Sequence, residues 1–500
     1  MDSVVIKSKI VRDNLVMYFK KEDGTLYFSW ISMQSFFVKD LEKRIESKNC
    51  VQIPGTIGFF VPLQVVIQES YRFPEQDKDN ILADLKTIDD NIDSYAEDLK
   101  NEMYEYTQVQ NGVQYDFLSG LRVKAPKHSV TTVTDPLTGY SRTYTGSFQT
   151  PEKYFIPWSF QTVNERQEVI AAHDLSLKGK KIIIQSSEGI GDVLAWLPSI
   201  VAFGQEHQVG ELYTGVTPSL LPVLKEYYKN LPCLKLMPAP INIPMEDIYA
   251  CYLVGTHLPL EYQRYLSPYP LTGVTLEQVP VKQLGTQGTP IHLEQKNRSP
   301  IKDPYVCINT MSTQYSKNWN NPTGWRDTIS YLNSLGYTVV CVEIMPCVQM
   351  GRFTSVAPGG CIDFIGDIPL QDRIDLFAEA DFFIGISSGM SWLARAAGCP
   401  TIMIGGFTDP NNEYKNPYRV YNPHVCSGCF TNGDPAVNKY KYGFCKHLGT
   451  EEEHVCSKAI TAQHVKRTIQ QLMSDYDLDP KINKRRKYCC SLKDHLPDKF

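Results

Sequence analysis

Four stretches of the 500-residue sequence hold side chains whose types and spacing could do chemistry. SSEGIGD at 186–192 places Gly189, Gly191 and Asp192 between an apolar strand, KKIIIQ, and an amphipathic run. The glycines let a backbone approach a ligand closely. Asp192 stands at a predicted helix start, where the positive end of the dipole favours a carboxylate, and an N-cap would explain it without catalysis. The third glycine of a dinucleotide fingerprint is absent, with Ala195 one position late. NTMSTQYSKNWNNPTGW at 309–325 collects Ser312, Thr313, Ser316 and Lys317 ahead of a helix predicted near Thr323. Short hydroxyl donors beside one ammonium suit a diphosphate, though a solvated loop gathers the same residues. GISSGMSWLARAAGCPTIMIGG at 385–406 runs from a strand through Ser387, Ser388, Gly389, Met390 and Ser391 into a small-residue helix. Backbone N–H groups there would form an anion site, and the small residues would also let the helix lie close on a sheet.

The fourth stretch is a set of cysteines, Cys426, Cys429, Cys445 and Cys456, spaced C-x2-C-x15-C-x10-C. The intervening FTNGDPAVNKYKYGF is polar and has no periodic core of its own, so four thiolates around one structural metal would be needed to close it. A tetrahedral thiolate set suits zinc or iron. His424, His447 and His454 lie close in sequence, but four thiolates already complete a tetrahedron. A nucleic-acid finger is excluded by context: no basic recognition helix accompanies the cysteines, and the formal net charge is −5.

These loops need elements to hold them. From residue 161, continuous apolar strands alternate with amphipathic helices, which implies parallel sheets covered on both faces. A Gly/Gln/Pro-rich linker, VKQLGTQGTPIHLEQKNRSPIKD, separates two such halves. The fold class is therefore α/β: two Rossmann-like lobes, 161–300 bearing the Asp192 loop and 301–473 bearing the two phosphate-type loops, with a cleft between them. The second lobe includes the cysteine finger at 424–457, and a basic tail occupies 474–500. Residues 1–160 read as a separate, mainly β domain with one long helix at 77–107, where Ile81, Leu85, Ile88, Ile92, Tyr95, Leu99, Met103 and Tyr106 form an apolar stripe. The stripe fits packing on its own domain or a homo-oligomeric coiled coil. No secretory h-region and no run of about 20 apolar residues is present, so a cytoplasmic protein without membrane insertion is expected.

KIIIQSSEGIGDVLAWLPSIVAF, TMSTQYSKNW and GISSGMSWLARAAGCPTIMIGG together resemble the heptosyltransferases of glycosyltransferase family 9, and more narrowly the bacterial autotransporter heptosyltransferases. The likeness spans about 175–472 and implies a GT-B fold, an ADP-heptose donor and no divalent metal in the transfer. It implies that Asp192 is the catalytic base and that Lys317 contacts the donor phosphates, with Ser312 and Thr313 ahead of it. Glu343, at the end of YTVVCVEI, falls where a carboxylate grips the nucleotide ribose. The four cysteines resemble the family's iron site, whose role is structural. Where the lipopolysaccharide-core branch carries Asp and then His in the third loop, this chain has Ser387 and Trp392, which favours a protein acceptor of autotransporter type. The implied enzyme is an inverting glycosyltransferase acting on Ser or Thr hydroxyls, and the family's assembly into rings implies a homo-oligomer. The alternatives are a transferase using another nucleotide sugar or a glycolipid acceptor, and a non-enzymatic nucleotide-binding assembly protein.

Overall fold

The computed structural model describes residues 106–481, apart from 187–188, 240, 242, 244–246, 257–266, 269–272, 351–352 and 431–443, together with the backbone of five strands nearer the N-terminus. The chain divides into two compact units, Met1–Thr107 and Gln108–Phe500. In the first, strands Val4–Val11, Asn14–Lys20, Leu26–Ile31, Val51–Gln52 and Phe59–Pro62 form one antiparallel sheet. The helix expected at 77–107 lies almost wholly outside the described residues, as does the tail beyond 481.

The division between the two units falls after Thr107. Residues 108–174 fold into two antiparallel four-stranded sheets that belong to the second unit. Their apolar face cannot be buried within such short strands, so it is buried on the neighbouring lobe. Val113, Tyr115, Phe117, Leu121, Val123, Trp158 and Phe160 share one core with Ile182, Ile184 and Trp196. The His173 ring ties the two parts together, lying 3.2 Å from the Tyr115 hydroxyl and 2.7 Å from that of Tyr249.

The first lobe is a parallel sheet of β1 (Lys181–Gln185), β2 (Glu211–Val216), β3 (Leu234–Pro238) and β4 (Ala250–Leu253), in the order β3-β2-β1-β4. Helices α1 (Ile190–Glu206), α2 (Leu221–Tyr227) and α3 (Gln278–Leu284) accompany it. The second lobe has β5 (Tyr305–Asn309), β6 (Thr338–Glu343), β7 (Ile362–Ile365), β8 (Phe382–Ile386), β9 (Thr401–Ile404) and β10 (Arg419–Val420), all parallel in the order β7-β6-β5-β8-β9-β10. Every residue of β5 and of β8 is buried, as a central strand covered on both faces requires. Helices α4 (Gly324–Leu335), α5 (Leu370–Glu379), α6 (Gly389–Ala396) and α7 (Ala462–Asp475) accompany this sheet.

The linker between the lobes is pinned at both ends. Gly288 N–H donates to Ser199 Oγ of α1 at 3.1 Å, and the amides of Lys296 and Asn297 donate to the buried Asp375 carboxylate of α5. Helix α1 packs directly on α6, so the two lobes meet through the helices that follow their glycine loops. No described helix is long and apolar enough to cross a membrane.

Candidate active site

In the second sheet the chain leaves β5 towards β6 on one side and re-enters at β8 on the other. Such a reversal opens a crevice beyond the carboxyl ends of the two strands, where open α/β sheets hold ligands. The loop after β5 carries Ser312–Lys317, the loop after β8 carries Ser387–Gly389, and the start of α1 comes to the same place from the first lobe. Two close approaches fix that meeting. A Cβ on Gly389 would lie 2.8 Å from Ile190 Cβ, and one on Gly191 would lie 2.9 Å from Trp392 Cδ1. Each lobe supplies a glycine where the other lobe inserts a side chain.

Asp192 is not the N-cap that its position allowed. Gly189 holds that place with extended backbone, and Asp192 sits in the first turn of α1. Its carboxylate lies over the bare Cα of Gly189, where a Cβ would come within 2.5 Å of Asp192 Oδ2. Gly189 therefore makes room for the carboxylate, and the positive helix end favours its charge.

Lys317 ends a short 3₁₀ turn, Tyr315–Lys317. It is half-buried, with Nζ 5.2 Å from the Phe430 ring centroid. Burial pushes its pKa below the usual lysine value, while the negative charges of Asp192 and Glu413 push it back up. The Asp192 carboxylate of one lobe thus acts on the Lys317 ammonium of the other.

The neighbouring polar residues divide by task. Ser388 is the N-cap of α6 but does not cap it: its hydroxyl donates to Asn309 Oδ1 at 2.8 Å, so that side chain occupies none of the first-turn amides. Asn309 Nδ2 in turn donates to Glu343 Oε2 at 2.8 Å. Glu343 Oε1 accepts from Thr310 Oγ1 at 2.9 Å, from Met311 N at 3.1 Å and from the Thr310 amide. Burial raises the Glu343 pKa to about 7 against those hydrogen bonds and Arg373. Through these contacts the Glu343 carboxylate fixes the root of the Lys317 loop. Ser391 is likewise internal, donating to Ile386 O at 2.6 Å, and Ser387 donates to Thr408 Oγ1 at 3.1 Å. Met390 is buried. Ser312 closes its own turn through Gln314 N at 3.0 Å, and Thr313 is exposed.

The Lys317 loop hangs on the cysteine segment. Ser316 Oγ donates to Phe444 O at 2.6 Å, Trp319 Nε1 to Ile460 O at 2.8 Å, and Asn320 Nδ2 to Ser457 Oγ at 3.0 Å. Tyr315 stacks on Phe353 at 4.3 Å, and His454 meets both rings edge-on. Cys429 and Cys456 are buried. Burial pushes the Cys456 thiol up to about 12, and the charges of Cys426, Cys429 and Cys445 add to the shift. Among the described residues, no three His, Cys, Asp or Glu side chains are gathered as a metal-binding group. Sequence reasoning missed Asn309, which links Glu343 to Ser388, and Glu413, which reads as part of a polar turn in TDPNNEYKN.

The family model of glycosyltransferase family 9 (heptosyltransferase) matches residues 271–436. The autotransporter heptosyltransferase Aah of Escherichia coli is 30% identical over 381 residues, covering 74% of this chain and 96% of its own. TibC of Escherichia coli O78:H11 is 31% identical over 324 residues, covering 64% of this chain and 79% of its own. A crystal structure of TibC, described as a dodecameric iron-containing heptosyltransferase in complex with ADP-D-beta-D-heptose, superposes with a TM-score of 0.68 at 30% identity, over 74% of this chain and 98% of that one. With the cleft, its two glycine loops and the lysine loop in place, the chain belongs to the autotransporter heptosyltransferases of glycosyltransferase family 9 and is a glycosyltransferase enzyme.

Proposed function

We propose that this heptosyltransferase transfers heptose from ADP-heptose to a Ser or Thr hydroxyl of a protein, with inversion at the anomeric carbon and Asp192 as general base. The observation that carries this reading is the close approach of the start of α1, which bears Asp192, to the start of α6 at the crevice between β5 and β8, on the side of the Lys317 loop. Asp192 takes the proton as the acceptor oxygen attacks the anomeric carbon. The bond from that carbon to the diphosphate breaks, and ADP leaves with the electron pair. Its growing negative charge falls to Lys317 and to the first-turn amides of α6 near Ser388, Gly389 and Met390, groups already oriented before the reaction. Ser312 and Thr313 line the approach to Lys317. The donor follows from the ADP-heptose bound by TibC; the protein acceptor follows from the family's name and from Ser387 and Trp392 in the third loop.

The test is Asp192→Ala with ADP-heptose and a co-expressed autotransporter passenger. Turnover should fall on the order of 10²–10⁴-fold while ADP affinity stays near wild type. Near-normal turnover would remove Asp192 from the role. Running the same assay with a panel of other nucleotide sugars separates heptose transfer from the transfer of another sugar.

Cys426, Cys429, Cys445 and Cys456 are the residues that would hold iron, the metal named for TibC. Their C-x2-C-x15-C-x10-C spacing and soft thiol donors, two of them buried, suit such a metal. Bound there, the metal would supply cross-linking rather than chemistry, since the segment it closes is what the Lys317 loop hangs on. A homo-oligomer follows from the dodecamer described for TibC.

A further inference from the structure

Trp392 belongs to α6 of the second lobe, but one edge of its indole lies against the first. A Cβ on Gly191 would sit 2.9 Å from Trp392 Cδ1 and 3.4 Å from both Cγ and Nε1, so no larger residue fits there without a shift. The second lobe holds the ring in place. It meets the buried Tyr414 ring edge-on, with centroids 4.8 Å apart and planes at 82°. Arg395 covers both rings, its Cζ 4.4 Å from the Tyr414 centroid and 5.7 Å from that of Trp392. Arg395 Nη1 in turn donates to Glu277 Oε1 at 2.7 Å, and Glu277 is the N-cap of α3 in the first lobe. Trp392 is only 6% exposed, so its ring packs between the lobes rather than offering a face to a ligand. Asp192 directly follows the glycine that this ring touches, and both stand at the start of α1.

We propose that Trp392 is a positioning residue for the transfer: its indole, braced by Tyr414 and Arg395, sets how far the start of α1 reaches into the crevice and so holds the Asp192 carboxylate at the acceptor hydroxyl. This rests on the reading of Asp192 as general base. A base must lie within hydrogen-bond reach of the proton it takes, and a misplacement of about 1 Å can cost on the order of 10²-fold in rate. Close packing leaves no slack between Gly191 and the ring, so the size of one fixes the place of the other. A smaller side chain at 392 opens a gap into which α1 can move. A Cβ at 191 pushes α1 away from the ring. Each displaces the carboxylate, in opposite senses, and the two changes made together offset one another. The Lys317 loop is not part of this contact, and the start of α6 keeps its own anchor through Ser388 and Asn309.

The experiment measures heptose transfer from ADP-heptose to a purified autotransporter passenger, with ADP binding by calorimetry, on the full-length protein. Trp392→Leu should lower kcat on the order of tenfold while ADP affinity stays within about twofold of wild type. Trp392→Phe keeps a ring beside Gly191 and should recover most of the lost rate. Gly191→Ala should also lower kcat, and Gly191→Ala with Trp392→Leu should turn over faster than Gly191→Ala alone, a coupling that independent sites do not show. An unchanged kcat in either single variant overturns the inference, as does a double variant no faster than Gly191→Ala. Equal losses of kcat and ADP affinity in Trp392→Leu mean general loosening of the lobes and overturn it too. A raised acceptor KM at unchanged kcat overturns it in favour of a ring that reads the acceptor. Should Trp392→Leu not fold, Gly191→Ala with Trp392→Phe takes its place under the same criterion. Asp192→Ala is the control on the underlying reading: retained turnover there removes the general base, whereas a large loss there with silent Trp392 variants removes only the role of Trp392.

Discussion

Glu343 shows how one buried side chain can tie two loops of a site together. Its two oxygens divide between the root of the Lys317 loop and Asn309, and Asn309 passes the constraint to Ser388 at the start of α6. Glu343→Gln would put an amide nitrogen against at least one existing donor. Turning Asn309 to relieve the clash on its side would break the Ser388 bond, because the same amide oxygen accepts it. The mismatch should cost about 1–3 kcal/mol. The pH dependence has a definite sign. With its carboxyl raised from 4.5 to about 7, the native state binds the proton more tightly than the unfolded chain does. The contribution of Glu343 is therefore complete below its unfolded value and is lost as pH rises through about 7. The gap in melting temperature between wild type and Glu343→Gln should narrow from about pH 5 to neutrality; a gap that widens over this range contradicts the assignment.

The elements that read most directly from sequence are the central strands. FFIGI and YVCIN are apolar throughout because both faces of the sheet are covered, and their following loops carry the small and polar residues that a crevice needs. The glycine loops were legible as close-approach points, but not what approaches: Trp392 and Ile190 come from opposite lobes, and no local pattern pairs them. Glu413 had no sequence signal at all, since a carboxylate in a polar turn reads as solvated until the fold buries it. The cysteine segment lies between these cases. Its spacing suggested a metal, yet its structural consequence is the set of hydrogen bonds from Ser316, Trp319 and Asn320 onto residues 444–460. If the four cysteines hold a metal as proposed, Cys429→Ser should release it and weaken ADP binding together, by on the order of tenfold or more, because Lys317 loses its support. Metal analysis with ADP calorimetry checks it. A folded, metal-free variant with wild-type ADP affinity would separate the cysteines from the donor site.

For the molecule as a whole, the chain divides into two units after Thr107. Period-two strands look alike whether they close a domain of their own or cover a neighbour, so the alternation in VQYD and SFQTV could not place it. Burial does. Tyr115, Phe117, Leu121, Trp158 and Phe160 pack into the core that also contains Ile182, Trp196 and, beyond the linker, Tyr305 and Phe383. Leu253 N–H donates to Lys153 O at 2.9 Å, so the same segment extends the backbone bonding of the first lobe. A fragment starting at residue 161 would expose all of that surface on β4 and its neighbours. Each large core side chain removed costs roughly 2–5 kcal/mol, and a domain's whole stability is only about 5–15 kcal/mol. The 161–481 fragment should accordingly be insoluble or unfolded. The 108–481 fragment keeps the whole core and should fold cooperatively and bind ADP with an affinity near that of the full chain. Circular dichroism melts and calorimetry on the two fragments decide the matter. A well-folded 161–481 fragment would mean that the strands between 108 and 160 are an appendage, and the shared core would then contribute far less than its buried area implies.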